Sequence, residues 1–266
     1  SLGTGVIAVA MSGDFVQRGA PAWTDKYTRT QMALSQGADL VFELPTVYTL
    51  SSAEHFAFGG ISLLNALHMD SVCFGCETPS LPLLDSAAEL LQKEPDDYRQ
   101  TLQQHLKSGA SYPAAREAAL RQSMPELPPD FLSGANNILA LEYLKALRST
   151  HSTMTPVPIL RTDSGYHSTE LSSGTFSSAS AIRFSYKDTD SLNDISQALP
   201  EEIMALLKKR SGHLGMDTAD FDALRYYALR RAVQKGSLTH YGDIHEELAN
   251  RIIKSLADYQ TADTFI

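Results

Sequence analysis

The chain has 266 residues, 43 % hydrophobic and 20 % charged, a globular balance that excludes disorder throughout. Its 31 acidic and 22 basic residues leave a net charge of −9, which counts against a free-standing nucleic-acid binder but leaves room for a local basic patch. No apolar run approaches the ~20 residues of a membrane helix, no signal peptide is legible, and two cysteines, Cys73 and Cys76, point to a reducing, cytoplasmic setting rather than a disulfide scaffold.

The chain opens without an initiator Met on a strand-like segment, the pattern expected of a piece of a longer protein. Residues 5–11, Gly-Val-Ile-Ala-Val-Ala-Met, form a continuous β-branched apolar run that predicts a buried parallel strand. Residues 25–36 predict a helix capped by Thr24 or Asp25 and ended by Gly37. A second strand is expected over 39–44, stopped by Pro45, then a helix over 52–67 and a third strand over 71–74, ended by Gly75. Strand and helix alternate, which predicts an α/β domain with a doubly wound parallel sheet. In such sheets ligands bind beyond the carboxyl ends of the strands, here after Met11, Leu44 and Phe74.

The middle of the chain reads as helices over 83–93, 96–107, 112–121 and 136–148. A strand follows over 157–160, whose prolines predict an edge. A polar, Ser-rich loop then leads into a helix from Ser178. Beyond residue 192 only helical patterns remain, over 203–209, 217–234 and 243–257. A boundary near Asp188 would divide residues 1–188 from an all-helical domain at 189–266.

Several stretches carry chemistry. Ser177, Ser178 and Arg183 stand at the start of a helix, where free N–H groups, hydroxyls and a guanidinium would cradle a phosphate; the alternative is a plain Ser cap and a solvated Arg. The loop from Met11 to Gly19 has glycines that allow close backbone approach. Arg18, Lys26 and Arg29 form a basic cluster fit for phosphate or RNA, or simply a solvated helix face. Cys73-x-x-Cys76 lacks a second ligand pair and predicts a buried, structural Cys73. Gly75 at a strand end would let a flat ligand stack on the backbone. Asn136 and Asn137 open a helix, one of them as its cap. Arg161 and Thr162 follow the last strand at the ligand edge. His167 is a candidate acid or base, and Asp163 and Glu170 a candidate carboxylate pair. No Walker loop, H-E-x-x-H or Ser/His/Asp order is present.

In this order, seven stretches resemble the tRNA(Met) cytidine acetate ligase family. They are Met11 to Gly19; Pro21-Ala22 and Lys26; Gly37 to Pro45; Phe74 to Glu77; Lys107 to Pro113; Asn136 to Leu139; and Tyr166-His167. The resemblance runs over essentially the whole chain. It implies a Rossmann-like fold of nucleotidyltransferase type. It also implies an ATP-dependent ligase that makes acetyl-adenylate and pyrophosphate, then passes the acetyl group to the wobble cytidine of elongator tRNA(Met).

By the same resemblance Gly75, Asn136, Arg161 and Thr162 would contact ATP, and Ser177, in the stretch to Arg183 that is similar to the superfamily's second phosphate motif, would join them; Mg²⁺ is expected to help neutralise the pyrophosphate. Arg183 and Ser178 would serve the leaving pyrophosphate, while Arg18, Lys26 and Arg29, as the main basic cluster of the first domain, would meet the tRNA with the helical domain. The family's first strand carries a His-x-Gly-His motif and its chain ends in a basic tail; neither lies within these 266 residues. Two other classes share parts of the pattern: a small-molecule adenylyltransferase and a non-catalytic tRNA-binding relative.

Overall fold

A computed structural model describes residues 5–17, 19–129, 131–161, 177–210, 214–242, 244–259 and 261. Strand β1 (Ala8–Ser12) pairs in parallel with β2 (Leu40–Leu44), Ala8 opposite Leu40 and Ser12 opposite Leu44. Helix α1 (Lys26–Ser35) makes the crossover. Asp25 caps it, its carboxylate accepting from the Thr28 N–H at 2.9 Å, and Gly37 turns the chain away at φ +100°. A one-turn helix α2 (Thr46–Thr49), not foreseen in the sequence, leads into α3 (Ala53–Ala66), capped by Ser52.

A second parallel pair joins β3 (Ser71–Cys76) to β4 (Thr155–Leu160), Ser71 opposite Thr155 and Cys76 opposite Leu160. Between them run α4 (Leu81–Lys93), α5 (Asp96–Lys107), α6 (Tyr112–Ser123) and α7 (Ala135–Ser149). The largest core lies here: Ile61, Val72, Phe74, Leu84, Leu120 and Leu141 belong to one buried cluster spanning α3, β3, α4, α6 and α7.

The parallel α/β pattern is present, but among the described residues the strands form two two-stranded sheets, with no ladder between β1 and β3. A cleft of about 730 Å³ lies there, lined by Val9, Val72, Cys73, Phe56, Ile61 and Tyr143 among others. Three expectations are corrected. The first strand is half-buried, because the cleft leaves it uncovered, with Val6 and Ile7 about half exposed. The third strand does not stop before Gly75 but runs through it to Cys76, since Gly75 holds register with Ile159. Cys73 is exposed and Cys76 is buried, because alternate strand residues face opposite sides and the core takes Val72, Phe74 and Cys76. Burial pushes the Cys76 thiol pKa up.

Helix α8 (Ala179–Thr189) ends where Asp190 turns left-handed. Its Tyr186 packs with Ile195, and with Ile203, Met204 and Leu207 of α9 (Glu201–Lys209), over Trp23 and Met32. That second core draws on residues from both sides of position 188. The segment expected as one helix over 217–234 divides into a short 3-10 turn, Thr218–Phe221, and α10 (Asp222–Gln234), because Asp217 and Asp220 form a capping box at the turn. Helix α11 (Glu246–Ser255) closes the described chain with a 3-10 turn, Leu256–Asp258. Ala232, Leu238, Ala249 and Ile252 make a third, small core there.

Candidate active site

The carboxyl ends of β3 and β4 lie side by side, and the start of α7 faces them. The first turn of a helix has N–H groups with no partner inside the helix. In α7 a carboxylate from across the gap answers them, not a side chain of its own: Glu77 Oε1 accepts from the Asn136 N–H at 3.2 Å and Oε2 from the Asn137 N–H at 2.6 Å. The expected Asn cap is thereby corrected. Asn137, 2 % exposed, instead accepts from the Glu77 and Thr78 N–H groups at 3.1 and 3.0 Å and donates to the Phe131 carbonyl at 3.0 Å.

On the open side, Asn136 donates its amide to Glu77 Oε1 at 2.7 Å and accepts from Arg161 at 3.3 Å. Gly75 stands beside Arg161: a Cβ there would lie 3.1 Å from the Arg161 Cγ. Gly75, Asn136 and Arg161, singled out separately in the sequence, thus converge on one exposed ledge. It offers a bare backbone, an oriented amide and a guanidinium to an anionic, flat ligand. Thr162 lies outside the described residues, as do Asp163, Tyr166, His167 and Glu170.

The loop after β1 is clamped from within. Arg29 donates to the carbonyls of Thr24 (3.1 Å), Ser12 (2.9 Å) and Gly13. Burial lowers its pKa from the usual arginine value, without removing the charge. Lys26 donates to both oxygens of Glu43, at 3.0 and 2.8 Å, and stands 3.9 Å from Asp14. The Glu43 hydrogen bond raises the Lys26 pKa. Glu43 in turn lies against Gly13, where any side chain would collide with its carboxylate. The two described members of the basic cluster therefore sit among their own carboxylates and carbonyls; Arg18 lies outside the described residues.

Ser178 is the N-cap of α8, its hydroxyl accepting from the Ala181 N–H at 3.0 Å, and it is 7 % exposed. Ser177 precedes it, half-buried. Arg183 is exposed, donates to Ser180 Oγ at 3.1 Å, and lines a cavity of about 420 Å³ with Trp23, Phe184, Lys187 and Asp217. None of Gly75, Asn136 and Arg161 lines that cavity.

A family model described as HIGH Nucleotidyl Transferase matches residues 1–266. The chain belongs to the HIGH nucleotidyl transferase family. A tRNA(Met) cytidine acetate ligase from Clostridium novyi (strain NT) is 39 % identical over 257 residues, 95 % of this chain and 63 % of that protein. Another, from Thermoanaerobacter sp. (strain X514), is 42 % identical over 256 residues, 94 % of this chain and 62 % of that protein.

The crystal structure of Thermotoga maritima TmcAL (apo, form I) superposes with a TM-score of 0.86 at 29 % identity, covering 98 % of this chain and 63 % of that one. The same protein bound with alpha-thio ATP gives 0.82 at 28 %, covering 98 % and 62 %. This HIGH nucleotidyl transferase chain thus spans slightly under two-thirds of the curated relatives it matches.

Sequence reasoning missed Glu77 and Asn137 as the joint between β3 and α7. Glu77 follows Cys76 directly and Asn137 follows Asn136, but a cap supplied from 60 positions away leaves no local spacing to read.

Proposed function

We propose that this HIGH nucleotidyl transferase chain is the larger part of an ATP-dependent acetate ligase acting on tRNA(Met), as its relatives are named. The observation that carries the proposal is the convergence of Gly75, Asn136 and Arg161 at the ends of two parallel strands, in a fold shared with a protein crystallised with an ATP analogue. In the proposed reaction an acetate oxygen attacks the α-phosphorus of ATP and the bond to pyrophosphate breaks. The exocyclic amine of the wobble cytidine then attacks the acetyl carbonyl, AMP leaves, and the amine loses a proton.

The chain's own residues have distinct parts in this reading. Gly75, Asn136 and Arg161, with Thr162 and Ser177, hold the nucleotide. The α8 start and Arg183 offset the charge that develops on pyrophosphate. Among the described residues no group of three or more His, Cys, Asp or Glu is placed to hold a metal. Mg²⁺ bound with the triphosphate would offset part of its charge. Residues 1–188 would bind ATP and 189–266 would contribute to tRNA contact, in the cytoplasm. No helix among the described residues is long and apolar enough to cross a membrane.

The proposal extends to the sheet. The cleft between β1 and β3 has apolar walls and two strand edges that no described strand pairs. One further parallel strand there would join the pairs into a single doubly wound sheet.

The test is acetate-dependent exchange of labelled pyrophosphate into ATP by the full-length protein, with N4-acetylcytidine measured in tRNA(Met). Exchange that requires acetate, and acetylation that requires both substrates, is the expected result. Exchange driven by another acid or by a nucleotide-like small molecule would overturn it.

A further inference from the structure

Within residues 222–235 four basic residues, Arg225, Arg230, Arg231 and Lys235, accompany one acid, Asp222, in a chain of net charge −9. Nothing in the sequence pattern marked this segment beyond its helical period. In the structure Leu224, Tyr227, Arg231 and Lys235 fall on one face of α10 and its first residue beyond, at helical spacing. All four are exposed, Leu224 by 64 % and Tyr227 by 60 %.

The guanidinium groups are held by rings. Arg231 lies 5.7 Å from the centre of the Tyr227 ring. Arg230 lies 5.6 Å from that of Tyr226 and donates to its hydroxyl at 2.9 Å. Neither arginine is in an ion pair among the described residues. Lys26 and Arg29 differ in this respect, since carboxylates or carbonyls already answer them. A guanidinium held beside a tyrosine ring stays planar and charged, with donors left for a ligand.

Helix α10 is also tied to the loop after β1. Arg225 donates to the Gly19 carbonyl at 2.9 Å, and Phe221 packs edge-on against Phe15 at 5.7 Å. A polyanion lying along α10 therefore passes beside the loop at the carboxyl end of β1.

We propose that the exposed face of α10, with Tyr227, Arg230, Arg231 and Lys235, is an RNA-binding surface. Arginines would take phosphates and Tyr227 would stack on an unpaired base, a combination suited to a loop of folded RNA. The inference rests on the reading of the chain as part of a tRNA-modifying enzyme. Charge complementarity favours a nucleic acid over an acidic protein because the exposed Tyr227 ring stands among the exposed forked donors of Arg230 and Arg231.

The experiment measures binding of a tRNA(Met) transcript by the full-length protein across a salt series. Variants are Arg230→Ala with Arg231→Ala, Arg230→Lys with Arg231→Lys, and Tyr227→Leu, each checked by thermal unfolding. The double alanine variant should bind about tenfold more weakly and flatten the slope of log affinity against log salt by about 1.5 to 2, the share of two phosphates. The double lysine variant should keep most of the slope while losing part of the affinity. Tyr227→Leu should weaken binding several-fold with the slope unchanged.

Variants that bind and respond to salt as the unsubstituted protein does would overturn the proposal. So would competition by polyglutamate as effective as that by tRNA, which would make the face a general polyanion surface. Acetate-dependent exchange, run on the unsubstituted protein, tests the ligase reading separately. Its absence beside intact, α10-dependent tRNA binding would overturn the activity and leave this surface standing.

Discussion

Glu77 and Asn137 are bonded to each other in both directions: the Glu77 N–H donates to Asn137 Oδ1 at 3.1 Å, and the Asn137 N–H donates to Glu77 Oε2 at 2.6 Å. The end of β3 and the start of α7 are thereby fixed as one unit. The Glu77 carboxylate also orients the Asn136 amide, and Gly134 leaves room for it, since a Cβ there would lie 2.6 Å from Oε2.

Glu77→Ala should therefore act on both fold and site. Loss of a carboxylate cap typically costs about 1 to 2 kcal/mol, and the Asn136 amide would lose its anchor. We expect a lower thermal midpoint together with weaker ATP binding. Glu77→Gln should recover part of the stability, because one amide oxygen can still accept. Unfolding curves beside calorimetric ATP titration check this; unchanged ATP affinity in a destabilised Glu77→Ala protein would separate the cap from the site.

Gly75→Val tests the ledge. Its side chain would press on the Arg161 stem, 3.1 Å from the Cβ position, and cover the backbone where a flat ring would stack. ATP binding should fall sharply, while Gly75→Ala, which asks only a few tenths of an ångström from a flexible side chain, should fall less. Equal affinity in all three proteins would remove Gly75 from the nucleotide site.

Asp25 provides a pH signature. The Thr28 side-chain hydrogen bond, 2.6 Å long, is the largest cause holding its carboxyl below the usual 3.8. A depressed folded-state pKa gives stability that is complete above the unfolded value and lost as pH falls through the folded one. Asp25→Ala should therefore cost about 1 kcal/mol at neutral pH. The gap to the unsubstituted protein should narrow only below pH 3.8. Urea unfolding from neutral into acid checks the shape; a gap that stays constant to the lowest pH would contradict it.

Cys73 can report on the cleft. It lines that space and is exposed, while Cys76, three residues on, is buried. If a further strand occupies the cleft in the full-length protein, maleimide should label Cys73 much more slowly there than in this 266-residue chain. Cys76 should stay unlabelled in both. Equal rates at Cys73 would leave the two strand pairs as separate sheets.

Period and punctuation carried most of the fold. The helix at 96–107 matches α5 at both ends because Pro95 and the Ser108-Gly109 pair bound it in the sequence itself. The Asp25 cap was legible, with Thr24, for the same local reason, whereas Ser52, expected inside its helix, proves to be the cap. Gly75, Asn136 and Arg161 could be named one by one, each beside a strand end or helix start. Their meeting depends on the parallel pairing of β3 with β4, across 84 positions. Glu77 was illegible as a cap, and Cys73 was placed on the wrong face because burial depends on which side of β3 the core lies. The basic cluster was legible only as charge: the pairing of Lys26 with Glu43 needs the β2 edge beside α1, and Arg29 meets backbone carbonyls of the loop after β1. The arginines of α10 passed unmarked because a surface helix with scattered charge is the ordinary case.

Arg183 decides whether the start of α8 is an anion site or only a capped end. Ser178 already satisfies the Ala181 N–H, and Arg183 reaches Ser180 Oγ beside a cavity that the Gly75 ledge does not line. If the triphosphate bridges the two places, Arg183 meets the pyrophosphate as its charge grows. Such an interaction, made mainly in the transition state, lowers the rate constant more than the ATP affinity. Arg183→Ala should then slow acetate-dependent pyrophosphate exchange on the order of 100-fold, with a nearly unchanged thermal midpoint. Arg183→Lys should recover only part, since a point charge replaces a planar fork. Ser178→Ala should cost less rate but about 1 kcal/mol of stability through the lost cap. Exchange and unfolding measured together on the full-length variants separate the outcomes. Normal exchange by Arg183→Ala would leave this helix start as a cap alone and put the phosphates on another set of donors.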